Sequence, residues 1–415
     1  MASQRRSLGI DFGTSNSAAG YLSDGRPRLI ELAPGQTTMP TTFFFDHESR
    51  RTLIGDPANQ ALLDGVEGRF MRALKRVLGT GLMHEKRQIL NQGVTFVDII
   101  ARFLNQIKIR AEAQTGLTFD RALSGRPVVF HGASDPREAQ AEEDLRRCYL
   151  EAGFREVEFL PEPEAAAIAS GALDQPGTIG LIVDVGGGTS DFSLFRSEGG
   201  GIAILANHGV RIGGTDFDRA INIDRVMPLL GKGSQLRKAM GAGTSPTPNA
   251  IYNDLATWEK IPFVYTPQNR RMVAEMLRLA QHPDRLSRLA RVLEDELGHD
   301  LAFAVERGKI AANAGEAQPR ILLDQVERGL SAPLPPEALA DSLARHAATL
   351  AEGADETLRL AGIDAADVRQ VVYVGGSSLM SMVSATMKAR FPAAGHSFKD
   401  VFTAVTDGLA IAAAR

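Results

Sequence analysis

The sequence predicts an α/β protein built from two related halves. Three observations predict it. Strand-like apolar runs alternate with helical patterns along the 415 residues. One design of glycine turn occurs twice, once in each half. Each copy is followed by a second strand pattern rather than by a helix. Two such blocks imply a duplicated fold with a cleft between lobes, divided as 1–175 and 176–415.

From the N-terminus, the first turn is Leu8-Gly9-Ile10-Asp11-Phe12-Gly13-Thr14-Ser15-Asn16-Ser17, with Ser17 to Leu22 as the returning strand. Helical patterns follow at Val97 to Ala113 and Asp135 to Ala152, and Gly153 stops the second. Between them Pro127-Val128-Val129-Phe130 reads as a buried strand. The opening logic repeats from Gly177: a strand, the tip Asp184-Val185-Gly186-Gly187-Gly188-Thr189-Ser190-Asp191, and a half-buried strand from Ser190 to Phe195. Ile202 to Ala206 and a Gly213-Gly214 turn come next. Residues 225–313 read as mostly helical, with loops around Gly231-Lys232-Gly233 and 241–248. Mixed α/β returns from about 320, where strand Val371 to Val374 ends at Gly375-Gly376.

Composition excludes several classes. A net charge of −4 gives no reason to expect nucleic acid or an anionic membrane as partner. The single cysteine, Cys148, rules out disulfide scaffolds and cysteine-based zinc sites within one chain, and its helical context makes it a buried apolar residue. No apolar run reaches the length of a membrane span. Arg5-Arg6 is followed by no apolar stretch before Asp11, so no secretory leader and a cytoplasmic location are expected. The arginines at 270, 271 and from Arg278 to Arg291, interleaved with leucines, read as a solvated helix face.

The chemistry concentrates at the glycine turns. Glycine lets backbone approach an oxygen anion closely or take positive φ, and successive N–H groups form an anion-binding concavity. A carboxylate beside such a turn repels phosphate unless a cation lies between, so the economical reading is one metal–phosphate site built twice. A dinucleotide fingerprint requires a helix after the glycines and a Walker motif requires G-x-x-x-x-G-K-[ST], so neither fits; ordinary Asp-Gly hairpins are the plain alternative. Glu162 lies between Pro161 and Pro163, just before an alanine-rich helix at 165–170, where a stiff segment would hold a water-orienting carboxylate. Lys75 could stabilise charge on a transferring phosphoryl group, although its segment also reads as a basic amphipathic helix surface. Gly213-Gly214-Thr215-Asp216-Phe217-Asp218 opens a helix near Phe217 and suits a phosphate or ribose. Glu306 and Lys309 share a helix face, and Gly375-Gly376-Ser377-Ser378 could pass beneath a flat base.

Taken in order, these segments resemble the ATPase domain of the DnaK-type heat-shock chaperones, within the actin, hexokinase and heat-shock ATPase superfamily, and most of all its truncated YegD-type relatives. The resemblance implies a duplicated actin-like (ribonuclease H-like) ATPase fold with a nucleotide cleft. It implies ATP or ADP with Mg2+, and K+ as a further cation. Asp11 and Asp184 would hold Mg2+ through water. Gly13, Thr14, Ser15, Asn16, Gly186, Gly187, Gly188 and Thr189 would cradle phosphates. Lys75, Glu162, Asp184, Thr189 and Asp191 would be catalytic. Gly213, Gly214, Glu306, Lys309, Gly375, Gly376, Ser377 and Ser378 would bind the nucleoside side. The expected activity is slow ATP hydrolysis driving a conformational switch. The chain departs from the family at Leu379-Met380, where an arginine is usual, at Glu164 in place of Thr, and throughout 225–300, a stretch suited to an unknown protein partner. No peptide-binding domain is expected after the last helix, Asp407 to Ala414. A small-molecule kinase and an actin-like filament scaffold are the alternatives; no sugar-binding loop signature supports the first.

Overall fold

Two five-strand arrangements of identical design dominate the computed structural model, which describes residues 6–131, 135–169, 176–198, 202–238, 242–398 and 403–414. The first uses β1 (Arg6–Phe12), β2 (Asn16–Ser23), β3 (Arg26–Leu29), β4 (Phe119–Arg126) and β5 (Glu156–Pro161), in the order β5-β4-β1-β2-β3. A short strand, Thr38–Pro40, adds to β2. The second uses β6 (Ile179–Val185), β7 (Ser190–Ser197), β8 (Ile202–Val210), β9 (Val368–Val374) and β10 (Gly395–Ser397), in the order β8-β7-β6-β9-β10. In both, the first three strands form an antiparallel meander, and the last two add in parallel on the far side of the first strand. Asp11 and Asp184 are each the penultimate residue of the first strand of their meander.

The helices follow from local signals. Thr95 accepts from the Asp98 N–H while Asp98 accepts from Thr95, a capping box that starts the helix Phe96–Thr115; Gly116, at φ 69°, ends it. The helix Arg137–Glu151 stops before Gly153 at φ 94°. Both pack on the first sheet around Phe12, Phe103, Leu145, Cys148 and Tyr149, so Cys148 is buried as expected, and burial pushes its thiol up out of the reactive range. A second core joins Leu123 of β4, Ala165, Ala166 and Ala167, Ile182 and Phe195 of the second sheet, and Val405 and Leu409. The helices Glu162–Ala169 and Ala404–Ala412 therefore fill the space between the two sheets.

Their crossing is close. A Cβ on Gly408 would collide with the Ala165 carbonyl oxygen, and one on Gly9 would lie 2.7 Å from the Ala410 nitrogen. Gly408→Val should therefore push apart the helix that carries Glu162, with an expected loss of about 1–3 kcal/mol, read as a lower denaturation midpoint at unchanged m-value.

Four sequence expectations change in and around the two sheets. Residues 127–130 are not a strand: β4 ends at Arg126, Pro127 has no N–H, Val128 donates to Asp191 Oδ1 at 3.1 Å, and Phe130 donates to the Glu138 carboxylate at 2.9 Å. Strand β7 is almost wholly buried rather than half-buried, because Phe192 packs at Gly353 of the helix Pro336–Ala361 while Phe195 faces the inter-sheet core. The alanine-rich helix starts at Glu162, not after it; Ser170 lies outside the described residues. The Lys75 segment is not an amphipathic helix but strand Gly68–Arg72, a left-handed Ala73 and a 3-10 turn, Leu74–Val77.

The chain divides into two units, Met1–Gly213 with Ala348–Arg415, and Gly214–Ala347. The first holds both sheets. The second opens with the helix Gly214–Ile221, three residues earlier than expected, which continues as a π-helical turn at Asn222–Val226. It continues through the helices Asn249–Leu255, Pro267–Leu279, Pro283–Glu294 and Gly298–Asn313, with small hairpins at Gln235–Arg237/Thr244–Pro246 and Arg320–Leu322/Ser331–Pro333. Arg271, Arg278, Arg285 and Arg291 are exposed on two of these helices, the solvated face read from sequence. Among the described residues no helix is long and apolar enough to cross a membrane.

Candidate functional site

Both glycine turns are hairpin tips. The first joins β1 to β2, with Phe12 paired to Ser17. The second joins β6 to β7, with the Gly186 N–H donating to Thr189 O at 2.9 Å and Asp184 paired to Asp191. The two tips touch: a Cβ on Gly187 would collide with Ser15 Oγ. A Cβ on Gly213 would lie 2.5 Å from the Gly188 nitrogen and 2.7 Å from Gly186 O, so the third glycine turn backs the second tip. Ser190 Oγ fixes it there by donating to Ile212 O at 2.8 Å. None of Gly13, Gly186, Gly187, Gly188 and Gly213 takes a left-handed φ; at Gly13, Gly187 and Gly213 close approach, not positive φ, is what requires glycine.

Beneath the tips lies a charged cluster. Lys75 Nζ donates to Glu162 Oε1 at 2.6 Å, with side chains 9% and 11% exposed. Gly125 of β4 makes room for Glu162, since a Cβ there would be 3.1 Å from Glu162 Cγ. Asp184 and Asp191 are buried, and Asp11 keeps part of its surface open. Burial, then the Glu162 carboxylate, push Asp11 up to about 7, against the pull of Lys75. The same two causes push Asp191 up to about 8, against the Val128 N–H, Lys75 and the Thr189 hydroxyl that bonds it. Burial, then Glu162, Asp191 and Asp11, hold Asp184 well above the usual carboxylate range. For Lys75, burial acts downward, but Glu162, Asp11 and Asp191 outweigh it and hold the ammonium above its ordinary value. Asp11 and Asp184, from opposite halves of the sequence, thus feel one another and one lysine.

Four carboxylates around one ammonium leave a deficit of positive charge, and burial with mutual repulsion raises Asp11, Asp184 and Asp191 above the usual carboxylate range. A divalent cation answers the same deficit, so the donor set fits Mg2+. Among the described residues no three His, Cys, Asp or Glu side chains are grouped to ligate a metal directly.

The remaining sequence candidates divide between the units. Gly375, at φ 79°, ends β9 against the cluster: a Cβ there would lie 2.5 Å from Asp184 Oδ1. Gly376, Ser377 and Ser378 form a 3-10 turn, and the Ser378 hydroxyl donates back to Gly375 O at 2.7 Å. Thr14, Ser15 and Asn16 lie on the first tip. Gly214, Glu306 and Lys309 belong to the second unit. There Lys309 is buried and ion-paired with Asp218 at 2.8 Å, which sets its orientation. Three contributors were missed from sequence. Arg76 lies along Gly188, with Nε 3.1 Å from where a Cβ would stand; the Val128 N–H holds Asp191; and Gly125 admits Glu162. Only Arg76, adjacent to Lys75, had a sequence signal.

A family model for the Hsp70 protein matches residues 7–229, more than half of the 415-residue chain. The chain belongs to the Hsp70 protein family. Its fold is accordingly the actin-like ATPase fold. The Hsp70 match includes both tips, Lys75, Glu162 and the Gly213-Gly214 turn, whereas Glu306, Lys309 and Gly375 to Ser378 lie beyond it. The chaperone protein DnaK of Methanothermobacter thermautotrophicus is 33% identical over 227 residues, 53% of this chain and 36% of that protein. DnaK of Ureaplasma urealyticum serovar 10 is 32% identical over 217 residues, 52% of this chain and 34% of that one. This Hsp70-family chain thus matches about a third of the length of these curated relatives.

Proposed function

We propose that the chain binds Mg2+-ATP, hydrolyses it slowly, and uses the cycle as a conformational switch. The observation that carries this reading is the Lys75–Glu162 pair set among Asp11, Asp184 and Asp191 at the base of two touching glycine tips. Bare backbone at Gly13 and Gly186 to Gly188 receives the β- and γ-phosphates with Thr14, Ser15 and Thr189. Bound Mg2+ would supply charge neutralisation on the phosphate oxygens. Lys75 supplies the remaining positive charge where negative charge spreads over the transferring group, so positioning and electrostatics carry the catalysis. Glu162 holds the Lys75 ammonium in place, and Asp191 orients the attacking water. Gly213 and Gly214, Glu306 and Lys309, and Gly375 to Ser378 are assigned to the nucleoside side. A division near residue 175 into two lobes that close on nucleotide belongs to the same proposal. So does a protein partner at 225–300.

The test is hydrolysis of radiolabelled ATP with and without Mg2+. Release of ADP and inorganic phosphate to water is expected. Label transferred to a small-molecule acceptor would instead identify a kinase, and no nucleotide binding at millimolar concentration would overturn the reading.

A further inference from the structure

Lys75 is only as well aimed as the turn that carries it, and that turn has one hydrogen bond of ordinary length of its own, from the Arg76 N–H to Ala73 O at 3.0 Å. It is a four-residue 3-10 turn that starts from Ala73, a non-glycine residue at φ 62°, with no side-chain cap. Its last internal contact, Leu78 N–H to Lys75 O, is 3.4 Å long. The turn is held from outside. His131 Nε2 lies 2.5 Å from Leu78 O. A carbonyl cannot donate, so this nitrogen carries the hydrogen, and Nδ1 is left as an acceptor. Arg211 Nη1 fills it at 3.3 Å, while Arg211 Nη2 donates to Arg76 O at 3.4 Å.

We propose that His131 and Arg211 are positioning residues, a two-part clamp that holds the Leu74–Val77 turn and so aims Lys75 at the phosphate site. The proposal rests on the reading of Lys75 as a charge-stabilising residue in ATP hydrolysis. The clamp has firm footings. The His131 N–H donates to Glu138 Oε2 at 2.9 Å, and the Gly79 N–H donates to Asp144 Oδ2 at 2.8 Å, both carboxylates on the helix Arg137–Glu151. Gly79, at φ 76°, brings the chain against that helix, where a Cβ would stand 2.5 Å from Arg137 O and 3.0 Å from His131 Nε2. Arg211 directly follows β8 and stands two residues before Gly213, which backs the second tip. One short run thus supports the second tip and clamps the lysine turn, tying Lys75 to the tip that it must serve.

The test uses the full chain with His131→Phe, His131→Gln and Arg211→Leu. His131→Phe should lower kcat about 10- to 100-fold, the range for a displaced catalytic group. KM for ATP should stay within about twofold, as for an interaction made only in the transition state. His131→Gln, which keeps an N–H donor, should recover most of the loss. Arg211→Leu alters an exposed side chain and should reproduce the kcat effect even where His131→Phe fails to fold. Unchanged kcat in His131→Phe and Arg211→Leu would overturn the clamp. If the wild-type chain turns over no ATP, the hydrolysis reading has failed and the clamp is judged separately by hydrogen–deuterium exchange. Faster exchange confined to residues 73–84 in the variants supports the clamp, and unchanged exchange there overturns it.

Discussion

Lys75→Met should lower ATP turnover about 10²- to 10³-fold, the usual loss on removing one preorganised electrostatic stabiliser. Affinity for ADP should change by less than about threefold, since ADP lacks the group on which charge develops. The expected stability effect is also large. Lys75 and Glu162 form a buried pair, with side chains 9% and 11% exposed. Breaking such a pair from one side leaves a buried charge uncompensated and costs about 3–5 kcal/mol, whereas replacing both partners is often neutral. Lys75→Met with Glu162→Gln should therefore recover most of the denaturation midpoint and none of the turnover. Single-turnover hydrolysis and chemical denaturation separate these quantities. Wild-type turnover in Lys75→Met would remove Lys75 from the catalytic reading, and an unrecovered midpoint in the double variant would show that the pair is not the source of the loss.

The nucleotide-free protein should lose stability as pH rises from about 4 towards 8. Asp11 and Asp191 are ordinary carboxyls near 3.8 in the unfolded chain and are raised to about 7 and about 8 in the folded one. Between those values the folded state binds more protons than the unfolded state, so the slope of unfolding free energy with pH is negative. The stabilising contribution is complete below about 4 and lost as pH passes through the raised values. Asp184, shifted in the same direction, adds to the effect. A divalent cation competes with these protons, so the increase in melting temperature caused by Mg2+-ADP should grow with pH across the same window. Asp11→Asn removes one of the repelling charges. It should raise the nucleotide-free melting temperature near pH 8 by about 2–4 °C, roughly what 1 kcal/mol yields in a large domain, and abolish most of the Mg2+-ADP increment. Calorimetry across pH measures all three. A nucleotide-free stability that rises from pH 5 to 8 would contradict the repulsive cluster.

Much of this was legible in sequence because the informative features are local. Each glycine turn carries its Asp, its tip and its returning strand within about a dozen residues, so the hairpins, their repetition and the α/β class could be read directly. What escaped depends on residues far apart in sequence. Residues 127–130 have the apolar content of a strand, yet the Val128 and Phe130 N–H groups are taken by Asp191 and Glu138, which no local pattern reveals. Lys75 reads as a basic surface residue until Glu162 arrives from 87 positions along the chain. Gly125 and Gly408 look like ordinary glycines until the Glu162 side chain is found 3.1 Å from where the first Cβ would stand and the Ala165 carbonyl where the second would be. Lys309 reads as a ligand-facing cation, and its burial against Asp218 depends on packing within the second unit. Motif spacing thus finds candidate groups, while the partner that fixes each one is a tertiary fact.

Asp11 and Asp184, brought together from two copies of one hairpin, are taken to serve a single magnesium-bound nucleotide. Isothermal titration of ADP into the wild-type chain, Asp11→Asn and Asp184→Asn, each with Mg2+ and with a chelator, addresses this most directly. The expected result is wild-type binding weakened at least about tenfold (~1.4 kcal/mol) by the chelator, with both variants insensitive to it. Equal wild-type affinity with and without Mg2+, or variants that keep the full Mg2+ dependence, would contradict a shared site.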